Sequence, residues 1–69
     1  MNLELYKTFY HIAKCESITK AAEQMYITQP AVSRAIRQLE EELGCTLFIR
    51  TPKGVKLTLE GSILYQYVD

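Results

Sequence analysis

The sequence is poor in the features that mark a membrane protein, a secreted protein or a catalyst. No apolar run approaches the roughly 20 residues that a bilayer requires, so nothing reads as spanning a membrane. The N-terminus lacks a basic stretch followed by an apolar core and a small-residue cleavage site, which argues against secretion. Cys15 and Cys45 lie thirty positions apart and make no metal quartet; they read as buried or half-buried free thiols in a reducing cytoplasm. His11 has no second ligand beside it. Charge of one sign is lacking as well: 8 Lys plus Arg offset 8 Asp plus Glu, so overall charge gives no hint of a polyanionic partner. No paired acids, activated nucleophile or phosphate-cradling loop is visible, and 69 residues leave little room for a deep cleft. The expectation is therefore no enzyme, no cofactor and no metal. With 48% hydrophobic and 23% charged residues, the chain reads as one globular domain rather than a disordered one.

Residues 2–15 predict a helix, with Tyr6, Phe9, Tyr10 and Ala13 at i, i+3, i+4 and i+7 and with Leu5 and Ile12 widening the stripe. Aromatics at this spacing read as core rather than as base-stacking platforms. Ser17 and Thr19 are both suited to cap a short helix from Thr19 to Met25. Its Ala21 and Ala22 let another helix cross close by, and Met25 supplies an apolar anchor. Tyr26 and Ile27 break the run. Thr28 caps a third helix with Gln29, Pro30 and Ala31 in its first turn, where a missing proline N–H has no partner to lose. Val32, Ile36, Leu39 and Leu43 form a regular apolar stripe, and Gly44 ends the helix. Two short β-type runs, 47–50 and 55–57, flank Thr51-Pro52-Lys53-Gly54, with Pro52 at the second turn position and Gly54 at the fourth. Thr58 then caps a final helix, where Glu60 suits the dipole. Leu59, Ile63 and Tyr67 form an i, i+4, i+8 stripe flanked by Leu64 and Val68. That stripe suits packing on Tyr6 and Phe9, pairing with a second copy, or both. The order predicts a mainly α fold: a winged helix-turn-helix with a three-helix core and a β-hairpin wing.

The third helix has two unlike sides. At about 100° per residue, its apolar stripe lies within roughly 40° of one direction, while Pro30, Arg34 and Arg37 fall about 140–200° away, with Ser33 at the shoulder. Gln29, Ser33, Arg34 and Arg37 occupy the N-terminal half, where no acid precedes Glu40. Gln pairs with adenine, Arg with guanine and Ser with several bases, and recognition helices read bases from their N-terminal residues. Glu40, Glu41 and Glu42 would be held at the far end, away from phosphate. A solvated face is the plain alternative. Against it, Arg50, Lys53 and Lys56 add three cations and no acid across the hairpin, so a neutral chain can hide a basic face. Ala22 and Val32 are ten positions apart, the usual separation of the buried anchors in a helix-turn-helix. The tight turn carries Tyr26 where glycine is frequent.

The segment from Ser17, SITKAAEQMYITQPAVSRAIRQLEEELGCTLFIRTPKGVKLTLEG, resembles the DNA-binding region of LysR-type transcriptional regulators. The likeness rests on the small-residue pair after Thr19, the TQPAVSR opening, the QLEEELG end, the LF-x-R strand and the LT-x-x-G start of the last helix, in that order. The resemblance implies a winged helix-turn-helix over 1–58 and the start of a linker helix over 59–69. It implies sequence-specific binding to double-stranded DNA, with the third helix (28–43) in the major groove and the wing (47–57) on the backbone or minor groove. Gln29, Pro30, Ser33 and Arg34 match base-proximal positions. Thr28, Arg37, Arg50, Thr51 and Lys53 match phosphate or minor-groove positions, and Thr19 and Lys20 lie near phosphate. Leu59, Ile63, Leu64 and Tyr67 would pair two copies on an inverted-repeat operator, with higher oligomers in a longer protein. A small-molecule effector would act only through a C-terminal domain that does not follow here, and the site of action would be the cytoplasm, at the bacterial nucleoid. Two departures stand out: Glu16 occupies a position where glycine is common, and Ala35 offers only a methyl group. The rival reading is a winged helix that docks protein.

Overall fold

A computed structural model describes residues 2–68; Met1 and Asp69, the outer ends of the two segments expected from the sequence, lie outside the described residues. Its elements run α1 (Leu3–Cys15), α2 (Ile18–Met25), α3 (Gln29–Leu43), β1 (Phe48–Thr51), β2 (Gly54–Leu57) and α4 (Leu59–Val68). Each helix begins on a short polar side chain that accepts an otherwise orphan amide. Asn2 Oδ1 accepts from Glu4 N at 3.0 Å, Ser17 Oγ from Lys20 N at 3.1 Å, Thr28 Oγ1 from Ala31 N at 3.3 Å and Thr58 Oγ1 from Gly61 N at 3.0 Å. Ser17 is thus the cap of α2, and Thr19, the other suitable residue, lies inside the helix. Both tight turns use a left-handed residue that is not glycine: Glu16 (φ 54°) and Tyr26 (φ 58°). Such a conformation costs roughly 1–2 kcal/mol for an L-residue.

The core gathers Leu5, Phe9 and Ile12 of α1, Ala21 and Ala22 of α2, and Val32, Ile36 and Leu39 of α3, closed by Leu47 and Val55 from the wing. Phe9 meets Phe48 with ring centroids 5.2 Å apart. Two expected stripes shift. In α1 the buried set is Leu5, Thr8, Phe9 and Ile12, while Tyr6, Tyr10 and Ala13 are only half-buried. Both sets have helical spacing; Thr8 can turn inward because its hydroxyl donates to Glu4 O at 2.9 Å. In α3, Leu43 is 41% exposed, because the last turn carries it past the edge of the core. Met25 is half-buried rather than a fully buried anchor.

The wing is a two-stranded antiparallel hairpin in the register Phe48↔Leu57, Ile49↔Lys56, Arg50↔Val55 and Thr51↔Gly54. Alternation puts Phe48, Arg50, Val55 and Leu57 on one face and Ile49 and Lys56 on the other. Two close approaches fix it to the helices. Gly54 has φ +142° and a Cβ there would stand 2.3 Å from Glu16 O; a Cβ on Gly61 would stand 2.2 Å from Leu47 O. Val55 N donates to Glu16 O at 3.2 Å, Thr58 N to Leu47 O at 3.0 Å, and Thr58 Oγ1 to Thr46 O.

Candidate nucleic-acid interface

On α3, Thr28, Gln29, Pro30, Arg34 and Arg37 are exposed and Ser33 is half-buried at the shoulder, as the helical wheel requires. Among the described residues Arg34, Arg37 and Arg50 have no ion-pair partner, so their charge is available to an incoming anion. The first turns of α2 and α3 contain no acid, whereas α1 carries Glu4 and α4 carries Glu60 in theirs. The positive ends of the dipoles of α2 and α3 therefore stay uncompensated.

The structure brings part of the expected set together around the gap between α3 and the wing. One open cleft is lined by Ser33 and Arg37 of α3 and by Arg50 of β1. A second, beside it, is lined by Ser17 and Thr19 at the start of α2, Gln29 and Ser33 of α3, and Arg50, Thr51 and Pro52 of the wing. Arg50 reaches both clefts because it sits on the helix-facing side of the hairpin, opposite Val55. Arg34, Lys53, Lys20, Thr28 and Pro30 line neither cleft. Arg34 projects from α3, Lys53 stands in the two-residue turn of the wing, and Lys20 is exposed on α2. Lys56 does not share the side of Arg50: it pairs with Ile49 on the outward face of the hairpin.

Glu40 has a different place from the one its charge suggests. It lines the first cleft and turns its carboxylate onto the chain, with Oε2 accepting from Leu47 N at 2.7 Å and from Phe48 N at 3.4 Å. Only Glu41 and Glu42 are left as exposed acids at the end of α3. The signal was present in the spacing: Glu40 falls roughly 80° from Val32, on the same shoulder as Ser33 rather than on the outer face.

On the far side, α4 does not pack as its stripe suggests. Leu59, Ile63 and Tyr67 are 75%, 49% and 82% exposed. The residues that meet the core are Leu64, Tyr65 and Val68, with the Tyr65 ring stacked on Tyr10 at 5.7 Å. The expected packing of the stripe on Tyr6 and Phe9 is therefore corrected, and Leu64 belongs to the interior rather than to an outer face.

Sequence and structure comparisons bear on the same arrangement. The model of the bacterial regulatory helix-turn-helix proteins of the lysR family matches residues 3–62. The chain belongs to the LysR family. It is 44% identical over 69 residues to the HTH-type transcriptional regulator HdfR of Escherichia coli and to HdfR of Escherichia fergusonii, covering all of this chain and 25% of each relative. It thus spans about a quarter of the length of those regulators. Its fold is similar to that of the BenM DNA-binding domain solved with catB site 1 DNA, with TM-score 0.94, 44% identity, and 99% of this chain and 76% of that one covered. It is likewise similar to the CbnR DNA-binding domain solved with DNA, with TM-score 0.94, 28% identity, and 99% and 78% covered. LysR membership agrees with the four helices and the hairpin, and the relatives are regulators rather than enzymes. Among the described residues no three His, Cys, Asp or Glu side chains come together to hold a metal, Cys15 and Cys45 are half-buried free thiols, and no helix is long and apolar enough to cross a membrane.

Proposed function

We propose that this chain is the DNA-binding unit of a transcriptional regulator, and that α3 enters the major groove of double-stranded DNA. The observation that carries the reading is the N-terminal half of the outer side of α3, free of acid and, among the described residues, of ion pairs, set beside Arg50 of the wing. Gln29, Pro30, Ser33 and Arg34 contact bases or the nearby backbone, and bidentate Gln and Arg pairs to base edges discriminate by about 1–3 kcal/mol each. Thr28, Arg37, Arg50, Thr51 and Lys53 hold the backbone or reach the minor groove, and Thr19 and Lys20 contact phosphate at the start of α2; such contacts set register without carrying sequence information. Leu59, Ile63 and Tyr67 supply an outward stripe on α4 that pairs two copies, so the operator is an inverted repeat. The chain divides at Thr58 into the winged unit and the start of the linker helix. In a longer protein a small-molecule effector acts through another domain and higher oligomers form. Work on chromosomal DNA places the regulator in the cytoplasm, at the nucleoid.

Selection of bound sequences from random duplex DNA tests this reading. A two-fold symmetric consensus is expected. Recovery of no enriched sequence, with retention by a protein partner instead, would turn the reading toward a protein-docking winged helix.

A further inference from the structure

We propose that Glu40 is the positioning residue of the wing: its carboxylate, rather than any contact of its own with DNA, sets the hairpin at the distance from α3 at which Arg50 and Lys53 meet a duplex. The proposal rests on the DNA-binding reading above and adds to it a residue that touches no nucleic acid.

Glu40 gathers four main-chain amides. Its carbonyl oxygen accepts from Gly44 N at 2.8 Å and from Cys45 N at 3.2 Å, which closes α3. Its Oε2 accepts from Leu47 N and, more weakly, from Phe48 N. Residues 44–47 are the whole connection between α3 and β1 and Phe48 opens the strand, so helix end, connection and strand start all hang from Glu40. A charge-assisted bond of 2.7 Å to a main-chain amide is among the stronger kinds. Leu47 is itself 1% exposed, so its amide has poor access to replacement water.

A strand transmits that placement. Arg50 lies two residues beyond Phe48 on the same face, about 7 Å along β1. Its cross-strand partner Val55 donates to Glu16 O, which gives the hairpin a second fixed point. That second point is a main-chain carbonyl, whereas the first is a side chain and can be removed by one substitution. The same carboxylate lines the cleft with Arg37 and Arg50 yet pairs with neither, although Arg37 is three residues away on the same helix. Its charge is taken up by the amides, and among the described residues both guanidiniums have no ion-pair partner.

An acid beside a DNA-binding cleft has a simpler role available: it repels phosphate. The two roles differ in sign. If Glu40 only repels, Glu40→Ala tightens binding. If it positions the wing, Glu40→Ala weakens binding although a negative charge has been removed. The test measures the affinity of the chain for a duplex of random sequence by fluorescence anisotropy between about 50 and 200 mM salt, in the wild type, Glu40→Ala, Glu40→Gln, Lys53→Ala and the Glu40→Ala/Lys53→Ala pair. Amide exchange at Leu47, Phe48 and Leu39 is followed in parallel. Lys53→Ala is expected to lower the salt slope by about one. Glu40→Ala is expected to weaken binding and lower the slope by at least as much, since Arg50 and Lys53 lose their placement together, with Lys53→Ala adding little on top. Exchange at Leu47 and Phe48 should become at least roughly ten-fold faster while Leu39 is unchanged. Glu40→Gln keeps an acceptor oxygen and should retain both the protected amides and the Lys53 effect; it carries the test if Glu40→Ala does not fold. Tighter binding in Glu40→Ala with the Lys53 effect intact overturns the proposal, as does a folded Glu40→Gln without that effect. A flat response to Lys53→Ala in the wild type removes the wing from the duplex and takes the proposal with it, and the exchange data then tell that failure from a missing anchor.

Discussion

Helices α3 and α4 carry the same kind of apolar stripe and put it to opposite use. Val32, Ile36 and Leu39 of α3 turn inward, and the basic side faces solvent. In α4 the spaced residues Leu59, Ile63 and Tyr67 face solvent, and the inward contacts come from Leu64, Tyr65 and Val68, with Gly61 pressed against Leu47 O. Period alone shows that a helix has two sides. Which side a chain covers with its own atoms depends on what the neighbouring elements supply. Around α3 the core is already furnished by α1, α2 and the wing. Beside α4 stand α1, the β2 strand and the main chain at Leu47, and they engage a narrow strip.

The largest effect that would break this contrast comes from equal truncations on the two helices. Leu39→Ala empties a fully buried site and should cost about 2–5 kcal/mol in urea unfolding, while Leu59→Ala should move stability by less than about 0.5 kcal/mol. Equal losses would erase the distinction. Next is Gly61→Ala. Alanine is the better helix former by about 1 kcal/mol, yet its Cβ would stand 2.2 Å from Leu47 O. A net loss of about 1–3 kcal/mol is expected from the forced shift, and a stabilised protein would show that α4 is not seated on the wing. A smaller change of opposite sign is expected at the turn that receives β2: Glu16→Gly should stabilise by up to about 1 kcal/mol, since glycine adopts a positive φ without strain, and a lowered thermal midpoint would contradict it. Smallest for folding is Ile63→Asp, expected within about 0.5 kcal/mol of wild type but reduced in self-association by sedimentation equilibrium. A collapse of the melt would place Ile63 inside after all.

Much of the fold was legible because its punctuation is local. Thr28, Pro30 and Gly44 bracket α3, and Pro52 and Gly54 shape the wing turn, each through chemistry confined to a few residues. The basic side of α3 was legible for the same reason, since one helix fixes its own angles. What escaped depends on groups far apart in sequence. Nothing local to Lys56 says that register turns it away from Arg50, and nothing local to Glu16 says that its carbonyl will accept from Val55. Leu5, Phe9 and Ile12 took the core places expected of them, but Tyr6 and Tyr10 are only half-buried and Thr8, which hydropathy does not mark, turned inward, because two offset stripes fit one helix and packing chose between them. Glu40 was read by its charge when its angle on the wheel carried more information.

On the proposed reading, the outward side of α3 reads DNA and does little for folding. Arg34→Ala against wild type tests it most directly, with affinity for the selected operator and the thermal midpoint measured on the same samples. A loss of about 1–3 kcal/mol in binding to that operator is expected, with an unchanged midpoint. Undiminished affinity, or a midpoint lowered by many degrees, would contradict it.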